Sequence, residues 1–121
     1  MRIRTLPMNE WHSFFRDFSR IHSGAIVTLQ FSPRGAAPCD EVVHQPFRGI
    51  SEDGDEVFVH LGDGEGHPHL DRRMQHVDMI NLQQTDEGAD ASVDIASTDG
   101  TRTIIRFQSP ALPELLDPNV E

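Results

Sequence analysis

A mainly β, α+β fold is what this chain predicts: one N-terminal amphipathic helix, then five or six antiparallel strands in a curled sheet or a small SH3- or Sm-like barrel. Three observations carry that expectation. Apolar residues recur at helical spacing between residues 9 and 23; after Gly24 the spacing drops to two; and Asp-Gly or Gly-containing turns then punctuate the chain at short intervals.

The helix is expected over 9–23. Trp11, Phe14, Phe15, Phe18 and Ile21 fall at i, i+3, i+4, i+7 and i+10, one stripe that can cover a sheet or the mouth of a barrel. Asn9 after Pro7 suits the N-cap, Glu10 suits the positive end of the helix, and Gly24 supplies a left-handed stop.

Val27, Leu29 and Phe31 then alternate with Ile26, Thr28 and Gln30 as a first strand, followed by a Pro- and Gly-rich loop over 32–38. A second extended stretch, about 41–51, carries Val42, Val43, Phe47 and Ile50; Pro46 within it implies an edge position or a bulge. Glu52-Asp53-Gly54-Asp55 is a hairpin turn. The third strand sets Val57, Val59 and Leu61 on one face and Phe58 and His60 on the other. Residues 74–84 are expected as the fourth strand. A final hairpin turns at Thr98-Asp99-Gly100, with Ala91, Val93, Ile95, Thr103, Ile105 and Phe107 facing the core. Ser109-Pro110 is expected to end the sheet.

With 121 residues the chain suits one core rather than two, so a single domain is expected: helix 9–23, β-rich part 25–108 and a Pro-punctuated tail over 109–121. The three leucines of that tail call for cover, on this molecule or on a second copy.

All ten basic residues are arginine, Lys and Tyr are absent, and the formal net charge is −10. Such a surface repels phosphate backbones and anionic membranes, which disfavours nucleic-acid and membrane binding. An Sm-like RNA binder would require Arg48, Arg102 and Arg106 to share one rim. The Lys-free acidity reflects either genome composition or adaptation to a salty cytoplasm. Cys39 is the single cysteine, with no local base, and reads as a bystander thiol. No apolar run follows Arg2 and Arg4 and none approaches a membrane span, so a cytoplasmic location is expected.

Ligand-capable side chains are densest between Val57 and His76, a stretch that spans a Gly-rich connector and holds four of the seven histidines. His67-x-His69 with Asp71, completed by His60 or His76, has donors that suit zinc or a similar borderline cation. Against a preformed site stand Pro68 between the two histidines and the three glycines before them. His60 beside Glu56 or Asp71 would make a competent general base, but no nucleophile elbow, phosphate loop or zinc-protease helix accompanies it. No catalytic residue, cofactor or metal is assigned. The outward-facing Ile26, Thr28, Phe58, His60 and Ile104 define a semi-apolar surface suited to a partner.

Trp11 with Phe14-Phe15 and Phe18-Ser19-Arg20, then Phe47-Arg48-Gly49-Ile50-Ser51, Asp55-Glu56-Val57-Phe58-Val59, Leu70-Asp71 and the block from Thr98 to Phe107 resemble a family of small bacterial proteins of unknown function, over about Asn9 to Pro110. The resemblance implies a shared fold and brings no activity, cofactor or catalytic residue. In that family a histidine follows the Leu-Asp pair and a proline lies several residues later; Arg72 and Val77 hold those places here. A site built on that histidine would need His67, His69 or His76 to replace it in space. The expected function is therefore a small non-enzymatic binding or protein-interaction module, self-associating or docking on another protein. A metal- or small-ligand-binding protein using the His60–His76 loop is the alternative, and an Sm-like RNA binder the second.

Overall fold

The structure, a computed structural model, describes residues 1–111. One helix and eight strands form it: β1 (Arg2–Thr5), α1 (Trp11–His22), β2 (Ile26–Ser32), β3 (Cys39–Asp53), β4 (Glu56–Leu61), β5 (Leu70–Met74), β6 (Val77–Gln84), β7 (Asp90–Ser97) and β8 (Arg102–Ala111). The strands make one antiparallel sheet in the order β1-β6-β7-β8-β2-β3-β4-β5, which is not closed into a barrel.

Eight strands replace the five or six expected. The first addition, β1, precedes the helix; its four exposed residues lie along β6 at the sheet edge and carry no apolar alternation to reveal them. The second comes from the 70–84 region. Residues 74–84 are not one strand: β5 ends at Met74, Gln75 and His76 turn with His76 at φ 56°, and β6 begins at Val77. The last strand also continues through Ser109-Pro110 to Ala111, which lies opposite Asp90. The tail leucines, beyond Ala111, lie outside the described residues.

The helix begins later than its sequence suggests. Met8–Glu10 form a 3-10 turn closed by a bond from the Glu10 N–H to the Pro7 carbonyl, so α1 starts at Trp11 and Asn9 makes no capping bond. Gly24, at φ 89°, ends it as expected. The buried face is Trp11, Phe15, Phe18 and His22, while Phe14 and Ile21 lie half-buried on its flank. Trp11 donates its indole N–H to the Leu6 carbonyl at 3.0 Å, so its only polar atom is satisfied inside the core.

β3 binds the molecule together. Its first half pairs with β2, its second with β4, and Pro46 sits at the changeover, where its missing N–H does least damage. Beyond Pro46 the side of β3 that β2 leaves is taken over by the helix and its exit. The Phe47 N–H bonds the Ala25 carbonyl at 2.7 Å, and Ser19 Oγ both accepts from the Ile50 N–H at 2.9 Å and donates to its carbonyl at 3.0 Å. A serine on the helix thus covers a strand edge that would otherwise be open.

The core is continuous from Trp11, Phe15 and Phe18 on the helix through Val27, Leu29, Phe47, Val59, Ile80, Val93, Ile95, Ile105 and Phe107. Expected inward positions of the third strand and the final hairpin are inward, except Ala91, half-buried beside a register shift at Asp90/Ser92. Ile104, read as outward-facing, is 7% exposed, so the expected outer surface is interrupted there.

Candidate functional site

Two places collect polar chemistry. The first is buried. Extending the helix stripe by one turn from Phe18 brings His22 onto the core face, between the rings of Phe18 at 4.4 Å and Phe107 at 4.7 Å. Its Nε2 meets Asp90 Oδ2 at 2.7 Å, and Gln84 donates to Asp90 Oδ1 at 2.9 Å. Both side chains are nearly sealed from water, 1% exposed for His22 and 5% for Asp90. With Asp90 ionised, Nε2 is the donor, which leaves Nδ1 as a lone-pair acceptor. That Nδ1 is buried and has no partner. Beside the pair runs a groove of about 330 Å³ between α1, β6 and β7. Phe14, Phe18, Ile21 and Leu82 line it as apolar wall, His22, Asp90 and Gln84 as polar wall, and Glu10, Asp17 and Arg4 as charged wall.

The second place is on the outer face of β3, β4 and β5. Ser51 lies opposite Phe58, one pleat from His60, and His60 lies opposite Asp71. Ser51 Oγ is 3.0 Å from His60 Nε2, and His60 Nδ1 is 2.7 Å from Asp71 Oδ1. A bulge at Phe47/Gly49 inserts an extra residue into β3, and Arg48 there donates to Asp71 Oδ1 at 2.8 Å. The hydrogen bond from the His60 imidazole, with Arg48 adding to it, holds the Asp71 carboxyl below its ordinary range. Next along the same face, Arg73 grips Glu56 through two bonds of 3.1 and 2.6 Å, which lowers the Glu56 carboxyl and raises the guanidinium.

The five residues expected around the histidine loop do not meet in one place. His60 joins Asp71, His67 lies 3.5 Å from Asp63, and His76 lies 3.4 Å from Asp55. His69 packs over Gly64, where a Cβ would lie 3.2 Å from its Nε2. Among the described residues no three His, Cys, Asp or Glu side chains are arranged to hold a metal. The connector itself is folded rather than open. The Gly62 N–H bonds the Pro46 carbonyl, and a Cβ at Gly62, whose φ is 88°, would overlap the Pro68 carbonyl. Arg48 and Arg102 do not form a free basic rim, since they face Asp71 and Asp94. Arg72, standing where the resembled family has histidine, forms an ion pair with Glu41. Cys39 is exposed, with its thiol against the Phe31 carbonyl.

His22, Asp90 and Ser51 are absent from any site expected from the sequence, and Arg48 enters there only as a rim residue of the RNA-binding alternative. His22 carried a signal, a polar residue at i+11 from Trp11 on the apolar stripe. Ser51 carried none, because its relation to His60 depends on the register of β3 against β4.

Mainly β architecture with one covering helix defines the class of this molecule. A family model matches residues 2–115, and the chain belongs to that family, DUF5335, a family of unknown function. Comparison with the curated proteins finds no match, and neither does comparison with the solved structures. No helix among the described residues is long and apolar enough to cross a membrane.

Proposed function

We propose that this chain is a binding module that receives a small amphipathic cation, free or as a side chain of a partner, in the groove between α1, β6 and β7. The observation that carries the reading is the pairing, on one groove, of the Phe14 and Phe18 rings with the carboxylates of Glu10, Asp17 and Asp90. The stacked rings of Phe14 and Phe18, 5.2 Å apart, suit an apolar or cationic body. Glu10, Asp17 and Asp90 against a single Arg4 make the lining net negative, as is the whole chain. The larger groove, about 400 Å³ between Phe31, Met74 and Thr103, is a weaker candidate for a cation, because Arg72 and Arg73 stand on its wall.

Phenethylamine and phenylacetate, equal in shape and opposite in charge, test the reading by titration against the isotope-labelled protein. The amine is expected to shift the resonances of Phe14, Phe18 and His22, the acid is not, and Phe14→Ala together with Asp17→Asn should weaken the amine at least several-fold. Equal response to both probes, or shifts confined to other surfaces, overturns the proposal.

A further inference from the structure

We infer that Ser51 is a nucleophile, and that Ser51, His60 and Asp71 form a relay able to take an acyl group from a small activated ester. The inference is independent of the groove. It rests on the order and direction of three hydrogen bonds. Asp71 is fixed by two donors on one oxygen, His60 Nδ1 and Arg48 Nη2, so it holds the imidazole with the proton on Nδ1. Nε2 then carries the lone pair, and the only side-chain hydrogen on offer at 3.0 Å is the Ser51 hydroxyl. That is the arrangement by which a serine loses its proton as it attacks, recognised by geometry and not by chain order.

The support is rigid. Ser51, His60 and Asp71 lie on three adjacent strands in continuous register, and β3 is braced from its other side by Ser19. The His60 side chain is 28% exposed, sheltered enough to keep its orientation and open enough to be reached. Neither larger groove adjoins Ser51, so the substrate class is set by the approach: compact esters with good leaving groups, such as aryl acetates, in preference to peptides or long acyl chains.

The chemistry balances without a further reactant. As Ser51 Oγ bonds to the ester carbonyl carbon, its proton passes to His60 Nε2. The tetrahedral adduct expels the aryl oxide, which leaves as the phenol with the proton from Nε2. A water then attacks the acyl-serine, gives a proton to Nε2, and the Oγ–C bond breaks with return of that proton to Ser51. Ester and water become acid and phenol. Asp71 touches no reacting atom and acts as a positioning residue.

Incubation of the full chain with p-nitrophenyl acetate, followed by peptide mass mapping, tests this directly. An acetyl group is expected on the peptide holding Ser51, with loss of that label in Ser51→Ala and a reduction on the order of a hundredfold or more in its rate of formation in Asp71→Asn. A fluorophosphonate probe should label the wild type and not Ser51→Ala. All three residues are on a partly exposed face, and circular dichroism confirms that each variant is folded before labelling. Equal nitrophenol release by wild type and Ser51→Ala, or acetylation confined to histidines and the N-terminus, overturns the inference. So does full labelling of Asp71→Asn, since a merely exposed serine would not depend on Asp71.

Discussion

Two histidine–aspartate pairs in this molecule have the same contact distance, 2.7 Å, and opposite surroundings. His22 and Asp90 are sealed between a helix and the sheet, with two phenylalanine rings on the imidazole. His60 and Asp71 lie on an open sheet face, where Asp71 is 62% exposed. The distance alone therefore says little about consequence. Where water is excluded, removing one partner strands the other as an unpaired buried group, and the pair becomes a condition of folding. Where water is present it replaces either partner at once, and what the bond governs is direction: which nitrogen holds the proton. The buried pair is a fastening and the exposed pair an orienting device.

The largest expected effect comes from breaking the fastening. His22→Ala or Asp90→Ala should each lower the free energy of unfolding by about 3 kcal/mol, the upper end for leaving a buried hydrogen-bonding group without its partner. That is a large share of the ~5–15 kcal/mol typical of a whole domain. A double variant, His22→Leu with Asp90→Leu, should cost less than either single change, because it leaves no orphan. Urea denaturation of the four proteins reads this out. Single variants within about 1 kcal/mol of wild type would show that water already reaches the pair, and the contrast between the two pairs would disappear.

How much of this contrast was legible beforehand differs between the two sites. Local patterns carried the helix, the inward positions Val57, Val59, Leu61, Val93, Ile95, Ile105 and Phe107, and the Asp53-Gly54 turn, because each rests on spacing within one segment. β1 was invisible, since an exposed edge strand of four residues has no apolar face to display. Of the histidines between His60 and His76, the reading of His60 beside Glu56 or Asp71 is met by Asp71, whereas the reading of a shared metal-ligand cluster is not. Only His60 and Asp71 come together, and they do so through pairing of β4 with β5 and not through the connector. Ser51 and Arg48 depend on a register and a bulge that spacing does not encode. Asp90 meets His22 across 68 residues, a tertiary contact with no local trace.

An intermediate effect separates burial from pairing more finely. Asp94 on β7 is mostly buried, 3.5 Å from Arg102 Nε, and its Oδ1 has no hydrogen-bond partner. Burial raises its carboxyl above the ordinary value of 3.8, with Arg102 opposing the rise only in part. A raised carboxyl means that the folded state favours the protonated form. The penalty therefore sets in as pH climbs through 3.8 and is complete above the folded value. Asp94→Asn is expected to stabilise the protein at neutral pH by about 1 kcal/mol and to change nothing well below pH 3.8. Thermal unfolding across that range checks the sign. Destabilisation at neutral pH would mean that Arg102 holds Asp94 more firmly than their separation implies.

The smallest effect on stability belongs to the orienting pair, and its pH dependence has the opposite sign. Asp71 is held below 3.8 by the His60 hydrogen bond and then by Arg48, so the folded state favours its ionised form. The stabilisation is present above 3.8 and is lost as pH falls through the lower, folded value. Asp71→Asn should thus destabilise slightly at neutral pH, by less than any variant above, and match the wild type once the solution is acidic enough to protonate Asp71 in both states. Salt near 1 M should also close the gap, because the charges involved face solvent. A difference that survives both acid and salt would place the role of Asp71 in packing rather than in charge. The imidazole would then owe its orientation to the strands alone, and the direction of the Ser51–His60 hydrogen bond would no longer depend on the carboxylate.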